Sequence, residues 1–235
     1  MYRGAPEPLV GRPDCLVPYH GKDGFNDLEF EATPDLCRVK DGFASDVIRK
    51  LVRGNPGEVT LVTLGPLTNL ALTFKTDPAI PALFRAIFIM GGNFEGMGNS
   101  TIGAEFNFVA DAEAANIVLK NTRCPTYIAT WELCVKYCNL TMVRESSVLY
   151  CSHLINHVIL RAQDWRLNSL WKVDTDQARL INRLEKVWFG NSDYQDQYVI
   201  CDQMAMVAAL DEESILDVAD HWVNDKNGAK QSIYL

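Results

Sequence analysis

Three short apolar runs set the limits on what this chain can become: EVTLVTLG at 58–65, AIFIMGG at 86–92 and CPTYIAT at 124–130. Each is nearly continuous in apolar or β-branched residues, the pattern of a strand buried on both faces. Helical periodicity fills the intervals. PLTNLALTFKTDP follows the first run, with Pro66 expected in the first helical turn, where its missing N–H costs little. ADAEAANIVLKN (110–121) reads as a helix with Asp111 as its N-cap. A fourth apolar run at 198–201 leads into a helix beginning near Asp202. Such alternation predicts an α/β fold, a mostly parallel (mixed) sheet flanked by helices.

Elsewhere the pattern is simpler. Residues 1–35 are loop-rich, with PEP, GRP and HGKDG as turn signals. DLCRVKDGFASDVIRKLVRG (35–54) reads as one helix, with Ala44, Val47, Ile48, Leu51 and Val52 at helical spacing and Gly54 as its stop. Residues 141–190 read as mainly helical, with Trp165, Leu167, Leu170 and Trp171 on inner faces. No repeat, long linker or low-complexity segment interrupts the chain.

Composition narrows the function classes. With 48% hydrophobic and 22% charged residues, the 235-residue chain is a globular one with enough length for a sizeable core. A net charge of −8 argues against nucleic acid or an anionic membrane as partner. There is no apolar stretch of membrane-spanning length and no signal-peptide core at the N-terminus, which leads to the expectation of a cytoplasmic protein. The cysteines are Cys15, Cys37, Cys124, Cys134, Cys138, Cys151 and Cys201. Their odd number and irregular spacing speak against a disulfide framework, and a lone Cys134/Cys138 pair is weak grounds for zinc.

In a parallel sheet, ligands sit beyond the carboxyl ends of the strands. The residues to collect are therefore Leu64 and Gly65, the loop at 93–107, and Asp202. In an extended segment Glu105 and Asn107 share a face. A carboxylate beside an amide can accept from and donate to two hydroxyls at once, which suits a sugar. The competing reading makes Asn99 and Asn107 turn residues and Glu105 solvated. Asp202 reads either as a helix N-cap, contributing about 1 kcal/mol, or as a metal ligand at a strand end. His20, in a glycine-rich turn, has the chemistry for acid–base work but the setting of an incidental turn residue. Trp188, Phe189, Tyr194 and Tyr198 could stack on a flat ring or belong to a core. Nothing marks Cys201 as a nucleophile.

The order of these segments adds to their meaning. LGPLTNLAL (64–72), IMGGNFEGMGNSTIGAEFNFVADAEAANIVL (89–119) and CDQMAMVAALD (201–211), with MYRGAPEPLV and YHGKDG, resemble the inosine-uridine-preferring nucleoside hydrolase family over nearly the whole chain. The resemblance implies hydrolysis of the N-glycosidic bond of a nucleoside substrate, assisted by calcium. It implies that Leu64 gives its backbone carbonyl and Asp202 its carboxylate to Ca²⁺. Asn99 and Glu105 would hold the 5′-hydroxyl side of the ribose and Asn107 the 2′ and 3′ hydroxyls. Met90 and Phe106 would wall the sugar, with His20 near the base. Cys201 stands where several members carry a histidine that helps the leaving base. Self-association as a homo-oligomer is compatible with the resemblance.

One departure matters. The family's DxDxGxDD segment, source of most calcium carboxylates and of the general base, does not occur in this sequence. The expectation is a single nucleoside hydrolase-like domain over 1–235 that lacks this segment and the first strands, binds calcium weakly and has little or no activity alone. The alternatives are a nucleoside- or ribose-binding protein without catalysis, and a regulatory partner of an intact homologue.

Overall fold

The computed structural model describes residues 1–11, 20–28, 35–138, 172–189, 199–211, 220–224 and 230–234. The chain forms two compact units, one of Met1–Leu16, Asp35–Leu133 and Cys201–Leu235, the other of Val17–Pro34 and Cys134–Ile200.

Among the described residues, the first unit is organised by a five-stranded sheet. Its strands are β3 (Thr60–Thr63), β4 (Ala86–Met90), β5 (Thr126–Ala129), β6 (Asp220–Asn224) and β7 (Lys230–Tyr234), in the order β3-β4-β5-β7-β6. All neighbours are parallel except β6 and β7, which are antiparallel. The three apolar runs thus become the three strands expected of them, and the sheet is mixed as expected. A separate parallel pair joins β1 (Tyr2–Arg3) to β2 (Lys40–Phe43).

Side chains alternate across the central strands. Ile87, Ile89 and Ile128 share a core with Val52, Leu70, Phe74, Ala114 and Val118, which come from α1 (Ala44–Gly54), α2 (Thr68–Thr76) and α4 (Ala112–Asn121). The short α3 (Phe106–Ala110) precedes α4. On the alternate positions Phe88 stacks on Tyr127 with ring centroids 4.7 Å apart. The helix after Cys201, α7 (Asp202–Leu210), packs against β3, β4 and β5, and its buried Ala205 lies outside that isoleucine core.

Asp111 knits the first unit together. Its Oδ1 caps α4 through the Ala114 N–H at 3.0 Å, as the sequence predicts. Its Oδ2 accepts from the Thr68 hydroxyl at 2.6 Å and from the Leu9 N–H at 3.0 Å. A capping residue therefore also anchors the start of α2 and the N-terminal segment, which is held again where the Ala5 N–H donates to Asn69 Oδ1.

Three expectations are corrected. The helix read over 35–54 begins only at Ala44: Leu36–Arg38 is a 3-10 turn capped by Asp35, and Lys40–Phe43 is β2. Gly42, at φ 107°, breaks the helical path that the periodicity suggests. Pro66 lies before the N-cap of α2, which is Leu67, rather than in its first turn. Residues 199–201 are not a strand, so Asp202 reaches the sheet through the packing of α7 and not from a strand end.

In the second unit, α5 (Trp131–Cys138), which starts in the first unit, is followed among the described residues by α6 (Asp176–Phe189). The turn at 20–28 is tied to α6 by Asn26 Nδ2 donating to the Leu184 carbonyl at 3.2 Å. Trp188 and Phe189 close α6, whereas Trp165, Leu167, Leu170, Trp171, Tyr194 and Tyr198 lie outside the described residues.

Asp111→Ala leaves three donors in or near the core without their acceptor and is expected to lower unfolding stability by about 2–4 kcal/mol in urea titration. Asp46→Ala, which removes only the partly exposed ion pair with Arg49 on α1, is expected to stay within about 0.5 kcal/mol of wild type.

Candidate functional site

The carboxyl end of β4 is where the chemistry gathers. The strand ends at Met90 and is followed by Gly91 and Gly92, and both glycines are pressed against Phe108: a Cβ at either would lie 2.7 Å from its ring. Gly92 also sits at φ 70°, in the left-handed region. This close approach brings the Gly92 N–H to Glu105 Oε2 at 2.8 Å.

Glu105 is 1% exposed, an unusual place for a carboxylate. Its Oε2 also accepts from the Phe108 N–H at 3.1 Å and its Oε1 from the Asn107 N–H at 2.9 Å, so it is the N-cap of α3. The extended segment expected through 105–107 is thus replaced by a cap followed by a helix. Burial pushes the Glu105 carboxyl up from its ordinary value; the N–H groups of Asn107, Gly92 and Phe108 pull it down, and the charge of Asp202 pushes it up again, leaving it raised. Three of about four lone-pair positions are filled, so one acceptor position remains.

Asp202 is the first residue of α7, which packs against β3, β4 and β5, and its charge acts on Glu105. Asp202 is not the N-cap: Cys201 holds that position and makes no side-chain cap bond. Asn107 is buried, and its Nδ2 donates to the Met90 carbonyl and lies 3.1 Å from Met90 Sδ, fixing the amide against the strand end. Met90 is buried and Phe106 is half-buried. Asn99 is exposed and its Oδ1 accepts from the Phe106 N–H at 2.8 Å, so it braces the loop into α3. Leu64 follows β3, the neighbour of β4, and is 43% exposed.

The first unit thus carries Leu64, Met90, Asn99, Glu105, Phe106, Asn107, Cys201 and Asp202, with the residues from Met90 to Asn107 knit by direct hydrogen bonds. His20 belongs to the second unit, in the exposed turn whose carbonyl accepts from the Asn26 N–H.

One residue escapes the sequence reading. Glu132, the second residue of α5, is 8% exposed and accepts from the backbone of Phe94, Glu95 and Met97 at 2.9 to 3.1 Å. Burial pushes its carboxyl up, but the N–H groups of Phe94, Met97 and Glu95 and its own outweigh this and hold it below the ordinary value. The signal was available, because Trp131 and Glu132 directly follow the run at 124–130 just as the other candidates follow theirs.

The calcium implied by the resemblance can be tested against the donor set. Among the described residues no group of three or more His, Cys, Asp or Glu side chains comes together. Leu64 and Asp202 offer one carbonyl and one carboxylate, whereas Ca²⁺ takes six to eight oxygens. The residues described do not make up such a site.

Parallel strands with a buried carboxylate and amide at their ends, beside a second carboxylate, define the class of fold, and solved structures agree. A plant nucleoside hydrolase, the PpNRh1 enzyme, superposes with a TM-score of 0.69 at 24% identity, covering 99% of this chain and 67% of that one. An inosine-guanosine nucleoside hydrolase gives 0.69 at 25% identity, covering 98% and 69%. The chain belongs to the inosine-uridine preferring nucleoside hydrolase family, whose model matches residues 1–231. Probable uridine nucleosidase 2 of Oryza sativa subsp. japonica is 38% identical over 116 residues, 49% of this chain and 34% of that protein. The pyrimidine-specific ribonucleoside hydrolase RihB of Escherichia coli O1:K1 / APEC is 36% identical over 118 residues, 50% and 37%. These matches take in only about a third of each relative's length.

Gly92→Ala is expected to cost about 2–3 kcal/mol, from the positive φ and the Phe108 ring together, measured by thermal unfolding. For Glu132 the sign follows from its lowered pKa: the stabilisation is present above the unfolded carboxyl value and lost as pH falls through the folded one. Wild type is therefore expected to lose stability more steeply than Glu132→Gln between about pH 5 and pH 3 in urea titrations.

Proposed function

We propose that this chain binds the ribose of a ribonucleoside at the carboxyl ends of β3 and β4 and serves the hydrolysis of its N-glycosidic bond to free base and ribose. The observation that carries this reading is the buried Glu105–Asn107 pair fixed to the end of β4, with α7, which begins at Asp202, packed against that strand. Family membership over residues 1–231 supports it.

The chemistry follows from the charge. Breaking the bond to the base builds positive charge on the ribose ring. Carboxylates already held at the ring's position stabilise that charge without reorganising, and among the described residues Glu105 and Asp202 are assigned to this task. Asn107 and Asn99 orient the sugar by its hydroxyls, and Met90 and Phe106 give it an apolar wall. Cys201 is assigned to the base side by the resemblance. No step is assigned to calcium, because the described residues supply too few oxygens for it.

A second reading, binding without cleavage, is favoured by that same shortage of ligands around Asp202. Base release from inosine and uridine, followed by chromatography with and without added calcium, separates the two. Calorimetry with ribose tests what they share. Asn107→Ala is expected to weaken ribose binding by about tenfold or more, the equivalent of one lost buried hydrogen bond. A wild-type chain that binds neither ribose nor either nucleoside would refute the proposal.

A further inference from the structure

Glu132 is committed to a surface loop rather than to the core. Its Oε1 accepts from the N–H groups of Glu95 and Met97 at 2.9 and 3.1 Å, and its Oε2 from that of Phe94 at 3.0 Å. Amides of an exposed loop are otherwise satisfied by water, so their bonds to one buried carboxylate set the path of the loop as well as contributing stability. The far half of the loop is fixed too: Gly98 N–H donates to the Ile102 carbonyl at 3.0 Å, and Asn93 Nδ2 to the Gly103 carbonyl at 2.9 Å. Gly98 has no room for a side chain, since a Cβ would lie 2.2 Å from the Thr101 carbonyl oxygen.

On this fixed backbone sit large apolar side chains turned to solvent, Phe94 at 47%, Met97 at 51% and Ile102 at 97% exposed. The loop starts at Gly92 and returns at Glu105, which are themselves hydrogen-bonded at 2.8 Å, so both its feet stand at the candidate site. Rigid backbone with apolar side chains held outward is the arrangement of a recognition element on a scaffold. The polar groups at the rim suit a sugar; an apolar ledge beside them suits the flat, less polar part of the same ligand.

We propose that Glu132 is a positioning residue that holds 94–97 so that Met97 and Phe94 form the ledge against which the base of a bound nucleoside rests. The proposal rests on the ribose-site reading above. Uridine and ribose, titrated calorimetrically into the full chain and its variants, test it, because only uridine carries a base. Glu132→Ala and Met97→Ala are expected to weaken uridine binding by about tenfold while ribose binding stays within about twofold. Glu132→Gln keeps an oxygen for Glu95 and Met97 and is expected to fall between wild type and Glu132→Ala. Unchanged uridine affinity in both alanine variants, or equal losses for uridine and ribose, would overturn the positioning role alone. A wild-type chain that binds neither ligand would overturn it together with the ribose-site reading.

Discussion

A carboxylate buried to 1% exposure is costly unless its oxygens are used, and Glu105 uses them to assemble the end of β4. Its three N–H donors come from Gly92, Asn107 and Phe108, so one side chain joins the strand end to the first turn of α3. The geometry is demanding on its neighbours. Only glycine fits at 91 and 92, because Phe108 packs directly on them. Once α3 starts where Glu105 dictates, Asn107 falls onto the Met90 carbonyl. The position of the amide is thus a consequence of the position of the carboxylate.

The scaffold beneath is arranged to keep that point still. Ile87 and Ile89 lock β4 into the core formed with α1, α2 and α4, while β4 lies between β3 and β5 and has no free edge. Asp111, four residues beyond Asn107, ties the start of α4 to α2 and to the N-terminal segment. The site loop is therefore anchored at Gly92 by Glu105, along 94–97 by Glu132, and after α3 by Asp111. Three carboxylates do this work through backbone N–H groups and one hydroxyl, a use of acidic residues that has no need of basic partners.

Much of this was legible in the sequence, and the exceptions have physical causes. Strands β3, β4 and β5 announce themselves because they are buried on both faces, and Asp111 announces α4 because capping is local. The region 35–43 misleads because its strand exists only by pairing with Tyr2–Arg3, more than thirty residues away in the chain. The run at 199–201 is apolar without being a strand, since α7 and not a ladder brings Asp202 to the sheet. Glu105 and Asn107 come together as the sequence suggests, but through a helix cap rather than extended alternation. Glu132 is legible as a residue that follows the run at 124–130, but its partners lie 35 to 38 residues away and no local pattern reports them.

The proposed ribose site lies at the carboxyl end of β4, with Glu105, Asn107 and Asp202 as its polar groups. The most direct measurement is a crystal structure of the chain grown with ribose. Ribose hydroxyls are expected within hydrogen-bonding distance of Asn107 and of at least one of the two carboxylates, at the carboxyl end of β4. Ribose bound elsewhere, or this rim left with water alone at saturating ribose, would contradict it.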